Sequence, residues 1–169
     1  MTEARWPLVI MGVSGSGKST IGSLLAARLG MEFIDGDSLH PQANRDKMAA
    51  GQPLDDADRW PWLQIIGSTL ARGQQAGAPV IIACSALKRS YRDLIRSQAP
   101  DTRFIYLSGT RELLAERMSA RTHEYMPASL LDSQLATLEI PEPAEHVLEA
   151  SIAEPPAEMV QRLAAALGS

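Results

Sequence analysis

The residues best suited to chemistry lie in a glycine-rich stretch near the N-terminus, MGVSGSGKST, which covers residues 11–20. Its spacing is that of a phosphate-binding loop, in which a glycine, four residues and a second glycine precede a lysine and a hydroxyl residue. Glycines let backbone N–H groups approach an anion, the lysine reaches the outer phosphates, and the hydroxyl is a ligand for Mg²⁺. We therefore predict a site for a nucleoside triphosphate that uses the whole loop: Gly12, Val13, Ser14, Gly15, Ser16, Gly17, Lys18, Ser19 and Thr20.

Two carboxylates, Asp35 and Asp37, follow the next apolar run. A kinase that acts on an alcohol needs a carboxylate to orient or deprotonate the acceptor hydroxyl. A spacing of two residues puts both side chains on one side of an extended chain. We predict that Asp37 acts on the acceptor and that Asp35 belongs to the Mg²⁺ shell. The alternative is an ordinary Asp-Gly-Asp turn in a solvated loop.

Arginines that could neutralise transferred phosphate occur later in the chain. Arg117 and Arg121 are four residues apart and therefore share one helix face, and Arg111 precedes them. Transferred phosphoryl groups require positive clamps, so we predict that Arg117 and Arg121 contact the nucleotide. A solvated basic face is the alternative.

Composition narrows the function classes. A chain of 169 residues is long enough for one domain, which we assign to residues 1–169. The net charge of -4, without a basic run, argues against binding to nucleic acid. No apolar run has the roughly 20 residues of a membrane helix. The start of the sequence lacks the pattern of a secretory signal, and one cysteine cannot form a disulfide within the chain, so we predict a cytoplasmic protein.

Short apolar runs alternate with helical patterns. The predicted strands cover residues 8–11, 32–34, 80–83, 103–107 and 147–152. The predicted helices cover residues 18–29, 61–76, 88–97 and 110–121 and the stretch that follows Pro156, with Pro61 in the first turn of the second helix. This order predicts an α/β fold with a five-stranded, mainly parallel sheet flanked by helices on both faces. Ligands of such folds bind at the carboxyl ends of the strands.

The segment between the carboxylates and the second long helix is polar and is interrupted by Gly51 and Pro53. We interpret residues 38–63 as an irregular substrate-binding segment, with an ordinary solvated connection as the alternative.

Four stretches together identify a protein family much more specifically than the phosphate loop alone does: MGVSGSGKST, FIDGDSLHPQANRDKMAAGQPLDDADRWPWL, CSALKRSYRDLIR and LLDSQLATLEIP. In this order they resemble the gluconokinase family of small P-loop kinases, which are related to shikimate kinases. The resemblance implies a P-loop kinase fold with a mobile lid at about residues 117–131. It also implies a homodimer and the Mg²⁺-dependent use of ATP to phosphorylate D-gluconate at its terminal hydroxyl, which gives 6-phospho-D-gluconate.

The resemblance also assigns roles to individual residues. It places six residues around the sugar acid: Asp37, His40, Asn44, Arg59, Lys88 and Arg92. It implies that Lys18 and Arg121 stabilise the transferred charge, that Asp37 acts on the hydroxyl, and that Arg117 stacks on adenine or closes the lid. One departure is His123-Glu124-Tyr125, where many relatives have Gly-His-Phe, and these residues receive no role.

Two other functions remain open from the sequence. One is a kinase of another small metabolite, with shikimate kinase nearest in architecture, although its triple-glycine substrate loop is absent. The other is an ATP-binding regulator without catalysis. ADP release with and without an acceptor separates these classes.

Overall fold

A computed structural model of the chain describes residues 6–119 and 128–167. Its centre is one sheet of five strands in the order β2-β3-β1-β4-β5. The strands are β1 (Leu8–Met11), β2 (Glu32–Asp35), β3 (Val80–Ala83), β4 (Arg103–Ser108) and β5 (Leu148–Ser151). All four pairings between neighbouring strands are parallel. The predicted α/β class and the five predicted strands are confirmed, and the sheet is wholly parallel.

The central strands are buried on both faces because helices cover both sides of the sheet. Along β1, Leu8 and Ile10 belong to one hydrophobic cluster, and Val9 and Met11 belong to the other. Alternate residues of a strand point to opposite faces, so a continuous apolar run is what a sheet covered on both faces requires.

The helices are α1 (Lys18–Leu29), α2 (Gln42–Ala49), α3 (Asp56–Gln75), α4 (Arg89–Gln98), α5 (Arg111–Ser119), α6 (Ala128–Thr137) and α7 (Pro156–Leu167). Helices α1 and α7 pack together and supply apolar residues to the first cluster. Helices α3 and α4 pack together and supply the second. Within the described residues, no helix is long and apolar enough to span a bilayer.

The prediction for α3 was wrong at its start. Pro61 lies inside the helix, which begins at Asp56, five residues before the proline. Asp55 caps the helix, because its carboxylate accepts the N–H of Asp58 while the Asp58 carboxylate accepts the N–H of Asp55. This reciprocal cap gives hydrogen-bond acceptors to two backbone N–H groups, so the helix begins before the proline.

The segment 38–63 is more regular than the sequence indicated. It contains the end of a 3₁₀ turn (Gly36–Leu39), all of α2 and the first turns of α3. Helix α6 lies in and beyond the predicted lid and had no counterpart among the predicted helices. The central part of that lid, residues 120–127, lies outside the described residues.

Candidate active site

The glycine-rich loop connects β1 to α1 and forms the wall of a cavity of about 300 Å³. The cavity opens at the carboxyl ends of β2 and β3, as predicted for this fold class. Its lining residues are Ser14, Gly15, Gly17, Lys18, Ser19, Asp35, Asp37, Ala83, Cys84, Ser85 and Gln134. The structure therefore brings both predicted carboxylates to the phosphate loop.

Two glycines of the loop are required by its shape. Gly17, which precedes α1, has a φ of 88°, and Gly15 has a φ of 85°, both in the left-handed region. A Cβ atom on Gly15 would lie 2.7 Å from Cγ of Met118 and 2.9 Å from the carbonyl oxygen of Leu114. A side chain at position 15 would therefore force the loop away from α5.

Lys18 bends back over this loop. Its Nζ donates hydrogen bonds to the carbonyl oxygens of Gly12 at 3.0 Å and Val13 at 3.2 Å. Gly12 and Val13 lie beneath the cavity and support Lys18 instead of lining the space where phosphates would lie. The ammonium group is thus fixed at the phosphate cavity by the loop itself.

The two carboxylates reach the cavity through a turn. Asp35 ends β2, and its Oδ1 accepts the N–H of Asp37 at 3.0 Å, which caps the 3₁₀ turn. Trp62 of α3 holds this turn by donating from Nε1 to the carbonyl oxygen of Gly36 at 2.8 Å. Asp35 and Asp37 were predicted to lie on one side of an extended chain, but they share the cavity because the chain turns between them.

A cavity of about 180 Å³ adjoins the other side of the phosphate loop. It is lined by Gly15, Ser16, Gly17, Thr20, Ile21, Arg117, Ile152, Glu154, Pro156 and Met159. Arg117 is fixed there because its Nη2 donates to the carbonyl oxygen of Ile152 at 2.6 Å. Of the nine predicted loop residues, seven line at least one of these two cavities, and Gly15 and Gly17 line both.

A third cavity, of about 470 Å³, lies beyond the carboxylates and holds most of the residues predicted for the acceptor. Its lining combines carboxylate, amide, hydroxyl and cationic groups with apolar side chains: Asp37, His40, Met48, Gln52, Pro53, Leu54, Arg59, Trp62, Ser85, Leu87, Lys88, Tyr91, Ser133, Gln134 and Thr137. Asp37, Ser85 and Gln134 line both this cavity and the phosphate cavity. These three residues therefore mark the passage between the two.

The two predicted cations of this third cavity are held by a carboxylate that the sequence analysis missed. Asp56 lies 3.2 Å from Nζ of Lys88 and 3.9 Å from Nη1 of Arg59, and it accepts a hydrogen bond from the hydroxyl of Tyr91. The hydrogen bond from Tyr91 and those from Lys88 lower the pKa of Asp56, and Asp56 in turn raises the pKa of Lys88. Two cations against one carboxylate leave this end of the cavity net positive.

His40 is positioned by two neighbours. Its ring stacks on Trp62, with 4.1 Å between centroids and an interplanar angle of 17°. Nδ2 of Asn44 contacts Nδ1 of His40 at 3.1 Å and donates to the carbonyl oxygen of Asp58 at 2.9 Å. This second bond fixes the Asn44 amide, so Nδ1 of His40 accepts and Nε2 carries the proton.

Burial lowers the pKa of His40 below its ordinary value and favours this neutral form. Asn44 itself is buried and does not line the third cavity. The structure therefore gives Asn44 a positioning role behind His40, where the sequence analysis placed it on the substrate.

Arg92 does not lie in the cavity. Its side chain is fully buried and donates from Nε and Nη2 to the carboxylate of Glu145, at 2.8 and 3.1 Å. It also donates to the carbonyl oxygens of Ala86, Leu87 and Glu139. All of its nitrogens are engaged in these contacts, so the assignment of Arg92 to the substrate is corrected to a structural one.

Two arginines that the sequence analysis considered for the phosphates remain, together with one cysteine that it did not assign to the site. Arg121 lies outside the described residues. Arg111 forms a surface ion pair with Asp132 at 2.6 Å, which joins α5 to α6. Cys84 lines the phosphate cavity, but burial raises the pKa of its thiol to about 12, so the thiol stays neutral and does not act as a nucleophile.

Comparison with known proteins supports the assignment from geometry. Residues 8–141 match the family model described as an AAA domain. The gluconokinase of Gluconobacter oxydans (strain 621H) is 49% identical over 144 residues, which cover 85% of this chain and 81% of that protein. This chain belongs to the gluconokinase family. The thermosensitive gluconokinase of Escherichia coli (strain K12) is 45% identical over 137 residues, 81% of this chain and 73% of that protein.

A solved structure from the same family extends the match to nearly the whole fold. The crystal structure of a gluconokinase from Sinorhizobium meliloti 1021 is 48% identical and superposes with a TM-score of 0.87 over 98% of this chain and 93% of that one. The family and the P-loop kinase fold predicted from the sequence are confirmed.

Proposed function

We propose that this protein is a gluconokinase, which transfers the γ-phosphoryl group of ATP to the terminal hydroxyl of D-gluconate and releases ADP and 6-phospho-D-gluconate. One observation carries the proposal beyond family membership. The phosphate cavity with Lys18 and the cationic acceptor cavity meet at Asp37, which lines both. A phosphate donor and an alcohol can therefore approach each other beside a carboxylate.

The donor half of the site fits ATP. The loop amides and Lys18 would bind the phosphates, because backbone N–H groups, the N-terminus of α1 and an ammonium group all favour anions. The adenine ring would occupy the 180 Å³ cavity, where Arg117, Pro156 and Met159 offer a flat cation and apolar surfaces. This placement supports the predicted contact between Arg117 and the base.

The acceptor half fits a sugar acid. The carboxylate of gluconate would bind at the net positive end formed by Arg59 and Lys88. Its hydroxyls would meet His40, whose Nε2 donates, and the terminal hydroxyl would lie beside Asp37. Asp37 then accepts the hydroxyl proton as the new bond to phosphorus forms.

A magnesium ion fits the donor set of the phosphate cavity. Ser19 and Asp35 line the same cavity as Lys18, and Mg²⁺ is held by oxygen ligands together with substrate phosphates. When bound, the ion neutralises charge on the phosphates. Oδ1 of Asp35 already accepts the backbone N–H of Asp37 and so orients it. In this proposal Asp35 belongs to the Mg²⁺ shell and Asp37 acts on the hydroxyl.

The resemblance to gluconokinases supports three further parts of the proposal. Arg121 would stabilise the transferred phosphoryl group, residues 117–131 would form a lid, and the protein would be a homodimer. The single domain and the cytoplasmic location remain predictions from the sequence alone. Light scattering during size-exclusion chromatography measures the assembly state.

An acceptor panel tests the function. ADP production is measured with Mg²⁺ and ATP against gluconate, other aldonates, shikimate, glycerate and no acceptor. We expect turnover that strongly favours gluconate. Preference for another acceptor would overturn the substrate while leaving phosphoryl transfer intact, and ATP binding without turnover on any acceptor would indicate a regulator.

A further inference from the structure

Gln134 joins the phosphate loop to the acceptor cavity. It lies on α6, is half-buried and lines both cavities. Its Oε1 accepts the backbone N–H of Ser14 at 2.7 Å, across 120 residues of sequence. The side chain of Gln134 therefore contacts a main-chain amide of the loop from outside the loop.

The bond to Ser14 fixes the orientation of the carboxamide. A backbone N–H can only donate, so the oxygen of Gln134 must face the loop and Nε2 must face away from it. Among the described residues, none accepts a hydrogen bond from Nε2, and the bond of Gln134 to the loop is made through Oε1. Two N–H donors are therefore held in a fixed direction at the passage between the cavities.

The passage is where the transferred group must travel. Asp37 and Ser85 are the other two residues that line both cavities. Asp37 is an acceptor and suits the hydroxyl that loses its proton, whereas a fixed amide donor suits the phosphoryl oxygens that carry negative charge. Asp37 would therefore accept from the hydroxyl group, and Gln134 would donate to the phosphoryl group.

We propose that Gln134 is a catalytic residue that donates from Nε2 to a non-bridging oxygen of the phosphoryl group during transfer. The inference rests on the proposed kinase function and adds a donor to it. The acceptor oxygen forms a bond to phosphorus, the bond to the leaving oxygen of ADP breaks, and the hydroxyl proton goes to Asp37. Gln134 keeps its own protons and stabilises charge throughout.

Two substitutions separate this role from simple support of the loop. Gln134→Glu keeps an oxygen for the N–H of Ser14 but loses both donors, and Gln134→Ala loses the oxygen and the donors. Gln161→Glu makes the same charge change at an exposed position on α7 and is the matched control. The readouts are kcat, KM for gluconate and the dissociation constant of ADP, which lacks the transferred group.

We expect kcat to fall about 100-fold in both Gln134 variants, as for the loss of a preorganised donor to a transition-state oxygen. We expect the affinity for ADP to stay within about threefold of the native value, because ADP lacks the phosphoryl group that Gln134 is proposed to contact. Gln161→Glu retains native kinetics.

Three results would overturn the proposal. Native kcat in Gln134→Glu with loss in Gln134→Ala would mean that only the contact with Ser14 matters. Native kcat in Gln134→Ala with loss in Gln134→Glu would mean that only added charge is harmful. Equal losses of kcat and ADP affinity in both variants would indicate a distorted loop.

Failure of the proposed function has a different signature, because it appears in the native protein. If native protein prefers another acceptor, the variants are compared on that acceptor. If it turns over none, they are compared on slow ATP hydrolysis, in which water receives the same group. The ratio of variant to native rate tests Gln134 in each case.

Discussion

The buried ion pair between Arg92 and Glu145 provides the sharpest test of the corrected site. Arg92 holds the loop after β3, through the carbonyl oxygens of Ala86 and Leu87, to the segment that precedes β5. Both side chains of the pair are almost completely shielded from solvent, with exposures of 0% and 1%. We predict that Arg92→Met destabilises the fold and leaves substrate binding nearly unchanged.

The magnitude follows from what the substitution leaves behind. The carboxylate of Glu145 stays buried and retains Arg96 at 3.0 Å and the N–H of Glu142 at 3.0 Å, while three carbonyl oxygens lose a donor. Removing one member of a buried pair costs about 3–5 kcal/mol. Because Arg96 compensates part of the charge, we expect a loss near the lower end, about 3 kcal/mol. That loss lowers Tm by roughly 10 °C for a chain of this size.

The assay combines urea unfolding followed by circular dichroism with kinetics measured well below Tm. Arg89→Met is the matched control on the same helix, because Arg89 is exposed and pairs with Glu142 at the surface. Surface pairs contribute at most about 1 kcal/mol. The double variant Arg92→Met/Glu145→Gln removes the stranded charge, so its loss is smaller than the sum of the two single losses.

The opposite pattern would refute the reasoning. If Arg92 bound the sugar acid, Arg92→Met would keep the native Tm and raise KM for gluconate by about tenfold or more, as expected for loss of a charged hydrogen bond. A native Tm with a raised KM would restore Arg92 to the substrate site. Additive losses in the double variant would show that Arg92 and Glu145 are not coupled.

Four further predictions concern the cavities and the ion pair. Asp37→Asn lowers kcat by about 10²- to 10⁴-fold while ADP affinity stays native, which steady-state kinetics and calorimetry measure; equal losses of both would refute its role on the hydroxyl. Lys88→Met raises KM for gluconate by about 10- to 100-fold without changing KM for ATP, and an unchanged KM would remove Lys88 from the acceptor site. Asn44→Asp raises the pKa of His40, because a carboxylate beside Nδ1 favours the imidazolium; an unmoved NMR titration would contradict this arrangement. Burial alone would raise the pKa of Glu145, but the hydrogen bonds from Arg92, Glu142 and Arg96 outweigh it and lower the value from 4.5 to about 2. Its ionised form therefore stabilises the fold above pH 4.5, and roughly 3 kcal/mol is lost as the pH falls towards 2; urea unfolding across this range measures the loss, which Glu145→Gln should abolish.

The sequence determined the features whose chemistry is local. The phosphate loop was predictable because its amides, glycines and lysine act within a few consecutive residues, and Lys18 indeed closes onto its own loop. The strands were predictable because burial on both faces selects continuous apolar runs such as 8–11 and 80–83. The start of α3 was not predictable in this way, because the cap formed by Asp55 outweighed the usual preference of proline for the first turn of a helix.

Only the tertiary structure decided which polar residues act on ligands and which hold the fold. The sequence does not distinguish three cations near the predicted site: Arg92, Arg59 and Lys88. In the structure Arg92 is buried in an ion pair with Glu145, whereas Asp56 forms ion pairs with Arg59 and Lys88 at a cavity. Gln134 gave no local signal, because its role depends on an amide 120 residues away. The role of a charged or amide side chain depends on which group it contacts after folding, and in these cases that group is distant in sequence. The groups of a phosphate-binding loop are consecutive in sequence, so its role can be predicted without the fold.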